Sequence, residues 1–201
     1  MSNKTRSPFY DNALFLMGIT LCFWVITIID QNTPQWNLTF EYGIKPKDTN
    51  GILGIFTAPL IHVNYAHLIG NTLPFMVLGG MVLFSGKRKF IFTTIVSGLI
   101  SGIGIWFFAR EGTVHAGSST LIFSYLGFII IQAWITRSCL SATLAIISGT
   151  LYGTLLLTLL INQNGISWHG HLFGLLGGLL SGLLIISSPS KKKRKAILKI
   201  D

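Results

Sequence analysis

Gly117-Ser118-Ser119-Thr120-Leu121-Ile122-Phe123-Ser124-Tyr125-Leu126-Gly127, continued by an apolar run to Thr136, leads a glycine and two serines straight into a segment long enough to cross a bilayer. A membrane helix needs roughly 20 predominantly apolar residues at about 1.5 Å each, and residues 119–136 come close to that. Working outward, five more segments of similar character stand at 13–29, 56–84, 90–109, 140–161 and 169–187. His62, Asn64, Tyr65 and His67 in the second suggest that its beginning is interfacial and its spanning part shorter. Half of the 201 residues are hydrophobic, 10% are charged and the mean hydropathy is +0.63, too apolar and too sparsely charged for an ordinary soluble domain. The expected fold is an all-α membrane protein, a six-transmembrane-helix bundle.

Lys4 and Arg6 before the first apolar run raise the question of a cleaved signal peptide. The run is too long for one, and Asp30-Gln31-Asn32-Thr33-Pro34 offers no small-residue cleavage site, so it reads as a retained first helix. With the amino terminus inside, Lys4, Arg6, Lys87, Arg88, Lys89, Arg137, Lys191, Lys192, Lys193, Arg194, Lys195 and Lys199 fall on the cytoplasmic side. Lys45, Lys47 and Arg110 fall outside, so 12 plus 3 accounts for all 15 basic residues. Positive charge concentrates in cytoplasmic connections, so both termini are expected in the cytoplasm. Residues 1–12 form a short cytoplasmic amino terminus, 13–188 the membrane domain and 189–201 a basic cytoplasmic tail. The net charge of +9 then serves orientation and contact with anionic lipid, with no nucleic-acid partner. Short tails and the lack of a transit-like leader favour a bacterial plasma membrane.

That orientation brings the starts of the second, fourth and sixth spans to the external side, and with them His67, Asn71, Ser119 and His171. Ser119 stands at a helix start, where a backbone N–H lacks an intrahelical partner and can stabilise a developing oxyanion. Serines elsewhere in the spans, such as Ser97, Ser148 and Ser181, more commonly bond their own backbone or a neighbouring helix. His67 and Asn71 are four apart and share a helix face. So do Ser119, Phe123 and Gly127, and so do His171, Gly174, Gly178 and Gly182; small residues at that spacing let two helices approach closely. All six acidic residues fall outside the segments marked as spans, which favours a Ser-His dyad over a triad. His62 is expected to order the first loop. Cys22 and Cys139 read as packing residues with no disulfide framework. His62 and His67 are five apart, and His169 and His171 two apart, so neither pair has the spacing of zinc ligands four apart on a helix; no metal or other cofactor is expected.

His62-Val-Asn-Tyr-Ala-His67-Leu-Ile-Gly-Asn71, Gly117-Ser118-Ser119-Thr120 and His171-x-x-Gly174-x-x-x-Gly178, in this order, resemble the rhomboid family of intramembrane serine proteases, over nearly the whole chain. The resemblance implies a rhomboid-like bundle with a long, partly embedded first external loop, here residues 30–55 with Trp36, Phe40, Tyr42 and Ile44. It implies Ser119 as nucleophile, His171 as base, and oxyanion stabilisation by His67, Asn71 and the Ser119 N–H. The substrates it implies are single-span membrane proteins, cut in or near their transmembrane segments within the lipid bilayer. Three positions depart from the family. Asn37 follows Trp36 where many members carry Arg, Thr120 follows the nucleophile where Gly is usual, and Phe123 stands where Tyr is frequent. Thr120 adds bulk and a hydroxyl, so reduced activity or altered specificity is expected. The alternatives are a catalytically weak or inactive rhomboid-like protein that binds transmembrane segments, and, less favoured for want of intramembrane charge, a transporter. Residues 162–168, polar and containing Gly165, are expected to cap the site.

Overall fold

Ser7 accepts the Tyr10 N–H and Pro8 supplies a preset φ, so the first helix, α1 (Pro8–Asn32), starts at once. The computed structural model describes residues 7–159 and 167–187. Two short helices, α2 (Leu38–Tyr42) and α3 (Gly54–Thr57), and two single 3₁₀ turns lie in the first connection. There follow α4 (Tyr65–Phe84), α5 (Lys87–Phe108), α6 (Ser119–Thr136), α7 (Cys139–Tyr152) with a 3₁₀ extension Gly153–Leu159, and α8 (Trp168–Ser187). α1, α4, α5, α6, α7 with its extension, and α8 are long and apolar enough to span a membrane. Among the described residues there is no strand beyond an isolated antiparallel bridge between Ile44 and His115.

The second span begins at Tyr65 because Asn64 Oδ1 caps it by accepting the His67 N–H at 2.8 Å. The apolar run upstream of it is spent on α3 and a 3₁₀ turn, Ala58–Leu60. Gly86, at φ +132°, makes the tight turn between α4 and α5, a conformation that suits glycine.

α6 is the axis of the bundle. Every residue from Thr120 to Ile129 is buried, as expected of a helix apolar on all sides and enclosed by others. Around it pack Phe75 and Phe90, with Phe90 stacked on Tyr125 at 5.2 Å and the Tyr125 hydroxyl 2.9 Å from Thr94 Oγ1. Outward faces carry Leu21, Leu73, Trp134 and Ile146, all exposed to what is lipid for such helices. Cys22 and Cys139, expected to be packing residues, are exposed as well.

The most extensive helix contact joins α6 to α8. It follows the expected glycine seam: a Cβ at Gly174 would overlap the Thr120 carbonyl, one at Gly178 the Ser124 carbonyl, and one at Gly127 the Leu175 carbonyl. Lipid supplies no hydrophobic drive between such helices, so this close backbone packing holds them. Gly178→Ala is expected to force them apart and to destabilise the fold by about 1–3 kcal/mol, the usual cost of overpacking. Thermal unfolding in detergent measures it.

The first connection is folded against α5. Lys47 N–H donates to the Trp106 carbonyl and Trp106 Nε1 to the Asp48 carbonyl, both at 3.0 Å. Trp36, Phe40, Tyr42, Leu53 and Phe56 remain exposed, a set suited to a membrane interface. Asp30 lies in the last turn of α1, inside that helix. Its carboxylate accepts the Leu38 N–H at 2.7 Å and the Thr39 hydroxyl at 2.8 Å, which commits it to the loop.

Candidate active site

The loop between α5 and α6 delivers Ser119 as the first residue of its helix, half-buried. Gly117, at φ +122°, makes this possible. Its N–H donates to the Ala58 carbonyl at 2.9 Å, and a Cβ there would lie 2.5 Å from His67 Cε1 and 3.5 Å from Asn71 Nδ2. Only a glycine lets the His67 ring reach the turn, two residues before Ser119, while Asn71 Nδ2 lies at ordinary contact distance from it. Asn71 is buried, and its Nδ2 has no hydrogen-bond acceptor among the described residues. A buried amide donor without a partner is costly and therefore rare in native structures. The Ser119 N–H, first in its helix, has no intrahelical acceptor either.

His171 lies within α8, one turn after Ser167, whose carbonyl accepts its N–H at 3.1 Å. The imidazole is buried and stacks on the Phe123 ring, with centroids 4.2 Å apart and planes at 12°. Phe123 is one turn along α6 from Ser119, so the two candidate dyad members sit on facing helices at the same end of the bundle. Hydrogen bonds between catalytic groups often tighten only when substrate binds. Asp30 is held by the first loop, Asp48 caps the Asn50 N–H and Glu111 pairs with Lys47 at 3.0 Å, while the ring of His171 stacks on Phe123.

Among the described residues, hydrogen bonds join two other serine–histidine side-chain pairs. His62 Nε2 is 3.1 Å from Ser118 Oγ and accepts the Ser118 N–H at 3.3 Å; both residues are fully buried. His62 thus braces the serine turn, a more direct role than ordering the first loop. The second pair joins His115 Nδ1 to Ser167 Oγ at 2.8 Å. Sequence reasoning missed His115 and Ser167, although a serine just before the sixth span is an N-cap signal.

Thr120 does not point its bulk at the nucleophile. Its methyl lies where Gly170 leaves room, 3.0 Å from where a Cβ at Gly170 would stand. Its hydroxyl is buried without a partner among the described residues, beside a small cavity lined by Ser101, Ile105 and His115. The cap expected over residues 162–168 lies, apart from Ser167 and Trp168, outside the described residues.

His62 and His115 carry a pH signature. Burial, with the neighbouring charge of His67, pushes His62 down to about 3 from the ordinary 6.5; burial, with His169, pushes His115 down to about 4. The unfolded chain takes up these protons near 6.5 while the folded chain does not. Their contribution to stability is therefore complete above that pH and lost as pH falls through the window from about 6.5 towards 4 and below. The unfolding temperature is expected to drop with acidification across this window, and the drop to be shallower in His115→Phe.

Six apolar helices among the described residues make this an integral multi-pass membrane protein, and a serine, two histidines and an amide without a partner among the described residues lie at one end of its bundle. The Rhomboid domain model matches residues 49–188, and the chain belongs to the rhomboid family. It is 34% identical over 160 residues to "Uncharacterized protein Rv1337" of Mycobacterium tuberculosis, covering 76% of this chain and 66% of that protein, just under two thirds of its length. It is 29% identical to "Putative rhomboid protease YdcA" of Bacillus subtilis over 96% of both chains. With "Rhomboid protease GlpG" of Enterobacter sp. it shares 30% identity over 110 residues, 51% of this chain and 39% of that one.

Proposed function

We propose that this protein is an intramembrane serine endopeptidase, hydrolysing peptide bonds in or near the transmembrane segments of other membrane proteins. Ser119 Oγ attacks the scissile carbonyl while His171 takes its proton and passes it to the leaving amine, giving an acyl-enzyme. Water then attacks the acyl carbon, its proton going to His171 and back to Ser119 as the acid leaves. The oxyanion of each tetrahedral intermediate is stabilised by Asn71 Nδ2, the His67 ring and the Ser119 N–H. The observation that carries this reading is the buried Asn71 donor, left without an acceptor and held against Gly117. A donor set aside in this way is matched to a charge that exists only during reaction.

Single-span proteins are the proposed substrates, entering from the bilayer, with the site towards the external face and both termini in the cytoplasm of a bacterial plasma membrane. Reconstitution into vesicles with a single-span reporter tests this. Cleavage near the external end of the reporter helix is expected, and an intact reporter beside well-folded protein would contradict it.

A second reading, a weak or inactive rhomboid-like protein that binds transmembrane segments, is favoured by the buried Thr120 hydroxyl, which stands where the family usually has Gly. Thr120→Gly separates the two. For an active protease it is expected to hold or raise turnover and to lower stability by about 1–2 kcal/mol through the cavity and the added chain freedom. An inert wild type that gains activity on this change supports the second reading.

A further inference from the structure

His115 lies at the junction of three segments. Its backbone pairs in both directions with Ile44 of the first connection, at 2.9 and 3.0 Å. Its ring reaches Thr113 Oγ1 through Nε2 and Ser167 Oγ through Nδ1, each at 2.8 Å. The directions of these bonds follow from the ends of the chain. Thr113 donates its hydroxyl hydrogen to the Arg110 carbonyl at 2.5 Å, so it accepts from Nε2–H. Nδ1 then carries a lone pair and accepts the Ser167 hydroxyl, and Ser167 Oγ accepts the Gly170 N–H at 3.3 Å. The result is a single-direction relay, Gly170 N–H to Ser167 to His115 to Thr113 to the Arg110 carbonyl, that ties the start of α8 to the end of α5.

Ser167 is also the residue whose carbonyl holds the His171 N–H. A shift of Ser167 is therefore a shift of the turn that carries the base. We propose that His115 is a positioning residue: through Ser167 it fixes the first turn of α8, and with it the His171 ring, against the loop that presents Ser119. This inference rests on the proteolytic reading. Errors of about 1 Å in such placement can cost on the order of 10² in rate.

The test uses the full chain in vesicles, with His115→Phe, Ser167→Ala, Ser167→Thr and the double variant His115→Phe/Ser167→Ala. Cleavage kinetics, thermal unfolding and amide exchange of the peptide spanning residues 168–175 are measured for each. His115→Phe and Ser167→Ala are each expected to lower kcat by about 10- to 100-fold with KM within about twofold. Ser167→Thr, which keeps the hydroxyl, is expected to restore most of the rate. The double variant is expected to be no slower than the slower single, since both remove one shared bond. Exchange in the 168–175 peptide is expected to rise in His115→Phe. An unchanged kcat in a folded His115→Phe, or losses that multiply in the double variant, would overturn the inference; if His115→Phe does not fold, Ser167→Ala against Ser167→Thr decides it by the same criterion. Failure of the proteolytic reading has a different signature, a folded wild type that leaves the reporter intact. The exchange result then decides the anchoring alone: a rise in His115→Phe upholds it and an unchanged peptide overturns it.

Discussion

Ser119→Ala is expected to lower kcat by about six orders of magnitude, the scale on which a serine hydrolase depends on its nucleophile, while Ser118→Ala keeps most of the activity. The two serines are neighbours, but about 100° apart around a helix, and their surroundings differ. Ser118 is fully buried and its hydroxyl faces His62 Nε2, so no substrate carbonyl can reach it. Ser119 is half-buried at the start of α6, one turn before Phe123, on which His171 of α8 stacks. Removing the Ser118 hydroxyl still leaves its N–H bonded to His62, so the turn persists with a stability loss of about 1 kcal/mol. Cleavage assays and thermal unfolding on both variants check the pair.

Asn71→Ala is expected to lower kcat by about 10² to 10³, with KM little changed. An oxyanion donor acts as charge develops on the substrate, so its removal raises the barrier and leaves ground-state binding alone. Stability is expected to stay level or rise slightly, because the variant removes a buried donor that has no acceptor among the described residues. A residue that merely tied helices together would behave in the opposite way, with a large loss of stability at unchanged turnover. Kinetics and unfolding on the same preparation distinguish the two outcomes.

Much of this arrangement is written in the sequence. Hydropathy alone marks all six spans, and the fourth, residues 119–136, matches α6 at both ends, because Gly117-Ser118 breaks the chain before it and Arg137 turns it after. The spacing of Gly174, Gly178 and Gly182 foretells the α6–α8 seam, since every fourth residue on a helix returns to one face. The second span is legible only in part: apolarity runs unbroken from Phe56, and the Asn64 cap alone tells where α4 starts. Periodicity says nothing about which loops touch. The His62–Ser118 and His115–Ser167 bonds join residues 56 and 52 positions apart, and they arise from how the first connection folds against α5 and α6. Of the acidic residues expected in loops or tails, Asp11 and Asp30 fall inside α1, in its first and last turns, and the loop partners of Asp30 draw it away from any catalytic role.

Covalent labelling of the purified wild-type protein by a fluorophosphonate, with the modified peptide located by mass, is the most direct measurement. A single adduct on Ser119, absent from His171→Ala and from Ser119→Ala, is the expected result. An adduct on Ser118, or none on a folded protein that binds a transmembrane reporter, would contradict the assignment of Ser119 and His171 as a catalytic dyad.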